Sequence, residues 1–229
     1  MTALRFMTYN VRHGQGVMSP VSLARTARTI AAVQPDIVVL NELYRLPGRY
    51  DQPETLGRFL GMHVLFHSAH ASGKLEYGNA ILSKWPLRVV EQVDLPKRME
   101  SRGLMVGEME FEGQCVLMAV THLSLHRATR ASQVAAIAEW FSRSPHIPSI
   151  LGGDFNGGRH GLAGLEAHFT LNEPGLLTYP SIAPFTTYDH LAWNQHWDMV
   201  SMSTHRSLAS DHLPLYADFT LQPPSSEED

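Results

Sequence analysis

The stretch Ser149-Ile150-Leu151-Gly152-Gly153-Asp154-Phe155-Asn156 joins an apolar run to two polar side chains. The apolar part is typical of a buried β-strand. Asp154 and Asn156 follow it directly, at the point where a strand delivers side chains to the rim of a sheet, and the glycines would let another backbone approach closely. Taken alone, residues 154–158 would more often form an ordinary tight turn. The rest of the chain decides between the two interpretations.

Three other polar residues occupy the same position relative to apolar runs. Each comes directly after a run that is typical of a buried strand: Asn10, Glu42 and His122. Because short loops at the rim of a rigid sheet are where proteins usually present functional side chains, we expect these residues to meet Asp154 and Asn156 at one rim. Asn10 alone could be a turn former, and Glu42 alone a solvated carboxylate or a helix start. Their recurrence favours a shared site.

The carboxylates of this set suit a divalent cation. Glu42, Asp154 and Asp211 are hard oxygen donors of the kind that Mg²⁺ or Mn²⁺ prefers, and Asn10 and Asn156 can add neutral oxygens or orient a substrate. A zinc site of sulfur or clustered imidazole is disfavoured, because the chain has a single cysteine and no His-Glu-x-x-His helix. The 13 histidines leave other transition metals open.

Further groups offer proton transfer and positive charge. His212 directly follows Asp211 and can take or give a proton near neutral pH if a carboxylate fixes its tautomer, for which Asp189 is the candidate. Arg102 carries a planar cationic fork that matches a phosphate. Each has an ordinary alternative: Asp211 and His212 could form a surface loop, Asp189 could accept from buried backbone N–H groups, and Arg102 could be a surface cation.

The apolar periodicity indicates many short strands and few helices. Strand-like runs recur from residue 4 to residue 219, and helical patterns cover residues 23–31, 54–60 and 127–141. Ser19, followed by Pro20, is the predicted cap of the first helix, and Gly61 is the predicted end of the second. This alternation of strands and helices predicts an α/β fold with two packed sheets flanked by helices.

The chain has no internal repeat and no long linker, which predicts a single domain over residues 1–220. The remaining segment, 221–229, combines a proline break with an acidic run that has nothing to bury, so we expect a flexible tail.

Composition excludes several classes of protein. A chain of 229 residues that is 44% hydrophobic can bury a sizeable core, and its net charge of −4 gives no overall attraction to nucleic acid or anionic membranes. It shows neither a signal-peptide pattern nor an apolar run of about 18 residues, so we expect a cytoplasmic monomer without a membrane span. Cys115, the sole cysteine, lies in an apolar run and is expected to be a buried, inert thiol.

Several segments together resemble the motifs of the endonuclease/exonuclease/phosphatase superfamily, whose fold is that of deoxyribonuclease I. They occur in the family's order and extend from residue 8 to residue 212, which makes the resemblance specific. The segments are Thr8-Tyr9-Asn10-Val11-Arg12-His13-Gly14, Asn41-Glu42, Tyr77-Gly78-Asn79-Ala80-Ile81-Leu82-Ser83, Ser101-Arg102-Gly103, Thr121-His122-Leu123, Gly152-Gly153-Asp154-Phe155-Asn156, Tyr188-Asp189-His190-Leu191 and Ser210-Asp211-His212.

This resemblance implies a four-layered sandwich, in which two mainly antiparallel β-sheets pack face to face with helices outside. It also implies divalent-metal hydrolysis of phosphoesters. Glu42 would be the principal Mg²⁺ ligand, with Asn10 as its neighbour and Asp211 completing the acidic cluster. Asp154 and Asn156 would hold the attacking water and the phosphate or metal.

The histidines receive catalytic roles from the same resemblance. His212, oriented by Asp189, would act on the nucleophile or on the transition-state phosphate, and His122 would contact a phosphoryl oxygen or act as a general acid. His122 places the chain nearer the deoxyribonuclease I-like branches than the abasic-site endonuclease branch. A glutamate partner for His122 is expected in the deoxyribonuclease branch; Glu76 is nearby in the sequence but does not clearly align with it.

Substrate contacts are expected from Asn79 and Arg102, although Asn79 alone could be structural. The phosphoester substrate is left open among DNA, RNA, a phospholipid, an inositol phosphate and a small phosphodiester, and the net charge weighs only against tight DNA binding. The alternative is a noncatalytic metal- or phosphate-binding module on the same fold. Loss of a key ligand would favour that alternative, and none of the acid, amide and histidine residues named above is missing.

Overall fold

The computed structural model describes residues 2–172 and 175–223. Three α-helices are described there: α1 (Leu23–Val33), α2 (Gln52–Leu60) and α3 (Arg127–Ser142). The described strands are β1 (Ala3–Asn10), β2 (Ile37–Leu46), β3 (Tyr50–Asp51), β4 (His63–Ser72), β5 (Leu75–Ser83), β6 (Arg88–Asp94), β7 (Gly103–Phe111), β8 (Gln114–His122), β9 (Ser149–Asp154), β10 (Thr170–Leu171), β11 (Asp189–Trp193), β12 (Trp197–Thr204) and β13 (Leu215–Leu221).

The strands form two mixed sheets. The first has the order β12-β13-β1-β2-β5-β4, with β3 paired to β2, and the second has the order β10-β11-β9-β8-β7-β6. Among the named strands, β1/β2 and β8/β9 are parallel pairs and the other pairs are antiparallel. The predicted sandwich of two mainly antiparallel sheets is therefore confirmed.

Alternation along the central strands explains the layers. On β1, Phe6 packs into the core cluster shared by both sheets, whereas the next residue, Met7, packs into the cluster that contains α1 and α2. On β8, Met118 belongs to the shared core and its neighbour Leu117 packs with α3. Since successive side chains of a strand point to opposite faces, strands that are apolar at every position require cover on both faces. The result is a four-layered arrangement.

The helices begin and end close to the predicted positions, with one correction. Ser22, rather than Ser19, caps α1, because its hydroxyl accepts from the N–H of Arg25 and the helix begins only at Leu23. The predicted end of α2 is confirmed: Gly61 adopts a left-handed conformation with φ +66°.

The expectation for Cys115 was wrong, since its side chain is exposed. Cys115 lies near the beginning of β8, beside the hairpin glycine Gly113, before that strand enters the core. Of the segment 221–229 interpreted as a tail, Leu221 ends β13 and residues 224–229 lie outside the described residues. Within the described ranges, no helix combines the length and apolarity needed to cross a membrane.

Strand register brings the polar residues to one rim. Asn10 is aligned with Asn41 at the carboxyl end of the parallel pair β1/β2. In the other sheet, His122 is aligned with Asp154 at the carboxyl end of β8/β9, and Asp189 at the start of β11 is also aligned with Asp154. The two parallel pairs thus present their carboxyl ends at the same edge of the sandwich.

Candidate active site

Asp154 is the centre of the site. It is 2% exposed, and its Oδ2 accepts a hydrogen bond from Asn10 Nδ2 at 3.0 Å. The same oxygen lies 3.6 Å from His122 Nε2 and 3.7 Å from His212 Nε2. Its Oδ1 accepts from the backbone N–H of Asn156 at 2.9 Å. One carboxylate therefore joins an amide and two imidazoles that come from three different parts of the chain.

The backbone beneath Asp154 is unusually crowded. A Cβ at Gly153 would lie 1.9 Å from the carbonyl oxygen of Thr121 on the neighbouring strand. This observation confirms the prediction that a glycine is needed here for close approach of another backbone.

Asn41 is a buried residue of the site that sequence reasoning did not assign. Its Oδ1 accepts from the N–H of Asp154 at 2.8 Å, and its Nδ2 donates to Asn79 Oδ1 and to Thr121 O, each at 2.9 Å. Asn41 therefore ties β2 and β5 of one sheet to β8 and β9 of the other. The available signal was an amide at the end of an otherwise apolar run, directly before Glu42.

Glu42 reaches the site through an irregularity in β2. The pairing of β2 with β5 shifts register between Leu40 and Leu43, and Glu42 itself has φ +63°. A bulge of this kind redirects a side chain, and a left-handed conformation at a residue other than glycine marks stored backbone strain. Glu42 Oε1 accepts from Asn10 Nδ2 at 3.0 Å, so Asn10 bridges Glu42 and Asp154.

Asn156 has the same kind of backbone, with φ +50°. Its Nδ2 donates to Leu123 O at 3.0 Å, which fixes the orientation of the amide and leaves Oδ1 as the atom with accepting capacity. An ordinary tight turn, the alternative interpretation of residues 154–158, would not explain this contact with the loop after β8.

His212 and Asp189 form the predicted pair. His212 Nδ1 lies 2.8 Å from Asp189 Oδ2, and Asp189 is fully buried. Burial alone would lower the pKa of His212, but the charge and hydrogen bond of Asp189, together with Asp154 and Asp211, raise it to about 10. In this arrangement His212 is an imidazolium at neutral pH, and its Nε2 lies 3.7 Å from Asp154 Oδ2.

The surroundings of Asp154 disfavour the charged form of its carboxyl group. Burial and the nearby charge of Asp189 raise its pKa to about 7, against the stabilising effects of His212 and Asn10. The structure thus gathers more negative charge than its own donors neutralise, and Asp189 Oδ1 is buried without a partner among the described residues. A divalent cation fits such a donor set, because carboxylate and amide oxygens are its usual ligands.

Not all of the predicted metal ligands meet directly. Asn10 and Glu42 are in contact, whereas Asp211 is held by its own surroundings: its Oδ2 lies 3.7 Å from Arg12 Nε and its Oδ1 accepts from Ser210 Oγ. A second group that could hold a cation consists of donor atoms within 4.8 Å of one another, from Asp154, Asp189 and His212. In that second group, His212 Nδ1 and Asp189 Oδ2 are already hydrogen-bonded to each other. The carboxylate of Glu42, whose Oε1 accepts from Asn10, is therefore more available to a cation.

His122 has a partner, but it is not a glutamate. Arg102 Nη1 lies 3.0 Å from His122 Nδ1, and Arg102 Nη2 donates to Glu100 Oε2 at 2.6 Å. Glu76 is paired with Arg45 instead. Burial, followed by the charges of Arg102 and His212, lowers the pKa of His122 well below its usual value.

The sequence profile of the Endonuclease/Exonuclease/phosphatase family matches residues 7–212. The chain belongs to this family. The resemblance predicted from the motifs is therefore confirmed. Members of the family hydrolyse phosphoesters, which supports a general hydrolase role.

The chain is also similar to individual proteins and to solved structures. The chain is 32% identical over 161 residues to the uncharacterized protein YbhP of Escherichia coli (strain K12), a match that covers 63% of each chain. An endonuclease/exonuclease/phosphatase from Beutenbergia cavernae shares the fold with a TM-score of 0.81 and 22% identity, covering 97% of this chain and 72% of that one.

Two further structures of the family show the same fold. D. rerio TDP2, complexed with single-strand DNA product, has a TM-score of 0.73 at 19% identity and covers 96% of this chain and 100% of that one. The human Nocturnin catalytic domain, with bound sulfate anion, has a TM-score of 0.73 at 20% identity and covers 96% of this chain and 94% of that one.

Within this family fold, the structure brings most of the predicted site residues into one connected group of hydrogen bonds and close charged contacts. Contacts of 3.7 Å or less connect Asn10, Glu42, Arg102, His122, Asp154, Asn156, Asp189 and His212. Asn79 joins through Asn41, and Asp211 lies beside His212 in the chain, where its described side-chain contacts are with Arg12 and Ser210. The catalytic roles of these residues remain predictions.

Proposed function

We propose that this chain is a Mg²⁺-dependent phosphodiesterase that uses Mn²⁺ as an alternative ion. The observation that carries the proposal is the arrangement around Asp154 Oδ2, where an amide and two histidines converge on one buried carboxylate. Hydrolysis of a phosphoester needs an acceptor that positions water and donors that stabilise the phosphoryl oxygens. This group provides both.

The metal would be held by the carboxylate of Glu42. Asn10 would add its Oδ1, which accepts from the N–H of Arg12 at 3.0 Å, and Asp211 is nearby to complete the acidic set. Such an ion supplies Lewis-acid stabilisation of the charge that develops on phosphoryl oxygens. The bulge and left-handed backbone at Glu42 support this role, because strained geometry concentrates at functional residues.

The side chains divide the remaining work. Asp154 in its ionised form, together with Asn156 Oδ1, orients the attacking water for in-line displacement. His212, which Asp189 keeps protonated, donates from Nε2 to the transition-state phosphoryl group rather than removing a proton. Asn79 Oδ1 is occupied by Asn41, which leaves the Asn79 Nδ2 hydrogens for a substrate oxygen.

Nucleic acid is one substrate class in agreement with the relatives. The D. rerio TDP2 structure contains a single-strand DNA product, and the Nocturnin structure contains a sulfate, a tetrahedral anion. The net charge of −4 favours a short or small phosphodiester over tight binding of a long polyanion.

The test uses bis-p-nitrophenyl phosphate with Mg²⁺, Mn²⁺ or a chelator. We expect metal-stimulated release of p-nitrophenol, and losses of about 10³-fold or more in kcat for Asp154→Asn and His212→Gln, since both groups act on the reacting atoms. The matched controls are Asp94→Asn and His63→Gln, which make the same changes at exposed positions. Binding of Mg²⁺ without hydrolysis of this ester, dinucleotides or glycerophosphodiesters would instead identify a noncatalytic binding module.

A further inference from the structure

A row of four aromatic rings lies beside the proposed metal ligand. Tyr44, Tyr77 and His70 are aligned across β2, β5 and β4, because Tyr77 is the register partner of both other residues. His13 extends the row, with its ring centroid 5.2 Å from that of Tyr44, and the Tyr44 and Tyr77 centroids are 5.3 Å apart. These distances are typical of interacting aromatic rings.

The row lines a cavity that opens at Glu42. This cavity has a volume of about 330 Å³ and is bounded by Glu42, the four rings of the row, Ser72 and Leu75. A second cavity of about 410 Å³, which includes Arg102, shares Tyr77 and His70 as lining residues. A phosphoester held at Glu42 therefore has an aromatic-lined compartment directly next to it.

A buried glutamine fixes the beginning of the row. Gln52 is 1% exposed; its Oε1 accepts from the N–H of Tyr44 at 2.8 Å, and its Nε2 donates to His13 O at 2.6 Å. The side chains of Tyr44, Tyr77 and His13 are only partly exposed, so binding a ligand there would order few additional side-chain rotamers. The rings of His13, Tyr44 and Tyr77 therefore form a preformed surface, and His70 stands exposed at the end of the row.

The charges around the cavity exclude a polyanion as its occupant. Among its described lining residues there is no lysine or arginine, and Glu42 is an acid. The next register pair outward, Arg45 and Glu76, is an ion pair in which each residue neutralises the other, and Arg45 also lies over the ring of Phe66. Tyr77 contributes the half-buried ring of a phenol to this lining. The lining suits an uncharged, planar group.

We infer that the His13–Tyr44–Tyr77–His70 row binds a neutral planar ring attached to the phosphate of the substrate, such as an aryl group or a nucleobase. The inference rests on the proposed phosphoesterase function, which places the phosphate at Glu42. It narrows the substrate from phosphoesters in general to those with one ring within reach of the phosphorus. Stacking does not depend on a particular hydrogen-bond pattern, so aryl and nucleobase rings share this mode of recognition.

Phosphonates test the inference without requiring hydrolysis. Phenylphosphonate, cyclohexylphosphonate and ethylphosphonate carry the same anion, and their C–P bond is not a phosphoester. In NMR titrations with Mg²⁺, we expect the planar ring to bind about tenfold more tightly than the other two, which is the lower range for stacking on an aromatic side chain. The backbone amides of Tyr44 and Tyr77 should show the largest differences in chemical shift between phenyl- and ethylphosphonate.

Variants of the row distinguish stacking on an aromatic ring from binding to any apolar surface. Tyr44→Leu and Tyr77→Leu should each reduce the preference for the planar ring severalfold, whereas Tyr44→Phe should retain it. Phe59→Leu is the matched control, because Phe59 is 57% exposed on α2 and lies outside the row. Equal affinity for the three phosphonates, or no binding of any of them, would overturn the inference.

Hydrolysis of two esters then distinguishes the source of the ring. Thymidylyl-(3′→5′)-thymidine presents a nucleobase and methyl phenyl phosphate presents an aryl group, with glycerophosphoethanolamine as the ring-free reference. A higher kcat/KM for either ring ester that Tyr44→Leu reduces toward the ring-free value supports the inference and identifies the ring, because an advantage of the phenol leaving group alone would persist in that variant. Faster hydrolysis of the ring-free ester would contradict it while leaving the phosphodiesterase proposal intact. Failure of every ester with a preserved phenylphosphonate preference would contradict only the proposed function.

Discussion

Arg102 Nη1 lies 3.0 Å from His122 Nδ1, and both residues are more than nine-tenths buried. A guanidinium group has only donors, so His122 Nδ1 must accept this hydrogen bond and its proton must be on Nε2. A glutamate partner would have produced the other tautomer and stabilised the imidazolium. His122 is therefore a neutral imidazole whose Nε2–H lies on the side of Asp154, and we expect it to donate to a substrate oxygen rather than to act as a general acid.

The tautomer can be observed directly. In ¹⁵N-histidine-labelled protein, the His122 Nε2 resonance should be that of a protonated nitrogen and Nδ1 that of an unprotonated one between pH 6 and 9. Arg102→Met removes the donor and retains the length of the side chain, so we expect a mixture of tautomers and a loss in kcat of about 10²-fold, the order for one misplaced donor to a transition-state oxygen. Arg98→Met, at an exposed position, is the control. A protonated Nδ1 in the unsubstituted protein would refute the assignment.

The low pKa of His122 predicts a loss of stability in acid. Below the unfolded-state pKa of about 6.5, the unfolded chain takes up a proton at this residue that the folded protein does not, so the free energy of unfolding falls as pH falls. Between pH 7.5 and 5.5 one such group contributes a loss of about 1.4 kcal/mol. In urea unfolding with EDTA, His122→Gln should show that much less acid destabilisation, whereas His63→Gln should behave like the unsubstituted protein.

The hydrogen bonds of Asn41 predict a loss of stability when its side chain is changed. Truncation to alanine leaves Asp154 N–H, Thr121 O and Asn79 Oδ1 without their buried partner. At about 1–3 kcal/mol for each unsatisfied group, partly relieved by water, we expect Asn41→Ala to lower the free energy of unfolding by about 3 kcal/mol. Asn41→Asp should also lose stability, because a carboxylate cannot donate to Thr121 O. Wild-type urea midpoints in both variants would show that the bridge is not needed.

The contrast between Asn41 and Asp154 shows what could be predicted from sequence. Asp154, Asn10, Glu42 and His122 were found because each directly follows an apolar run, which is a local property, and sheet register then brings them together. The role of Asn41 depends on hydrogen bonds to residues 38, 80 and 113 positions away, so no local pattern reveals it.

The remaining differences have the same origin. Arg102 meets His122 because the β7/β8 hairpin aligns Leu104 with Thr121, which places Arg102, directly before β7, close to His122, the last residue of β8. Motif order predicted both residues as part of the site, but only register shows that they pair. Ser19 and Ser22 are both chemically suitable caps for α1, and only the beginning of the helix at Leu23 selects Ser22.

Backbone strain at Glu42 predicts opposite effects on stability and function. Glu42 has φ +63°, which costs on the order of 1 kcal/mol for a residue other than glycine. Glu42→Gly relieves that strain, so we expect the metal-free protein to become more stable by about 1 kcal/mol while Mg²⁺-dependent activity is lost. Gln34→Gly is the matched control, since Gln34 has φ +55° at the exposed end of α1. This substitution should stabilise the protein without changing activity.

Thermal unfolding of both variants with EDTA and with Mg²⁺ makes the comparison. Added Mg²⁺ should raise the Tm of Gln34→Gly, as in the unsubstituted protein, and should have little effect on the Tm of Glu42→Gly. An undiminished Mg²⁺ response in Glu42→Gly would assign the ion to other ligands.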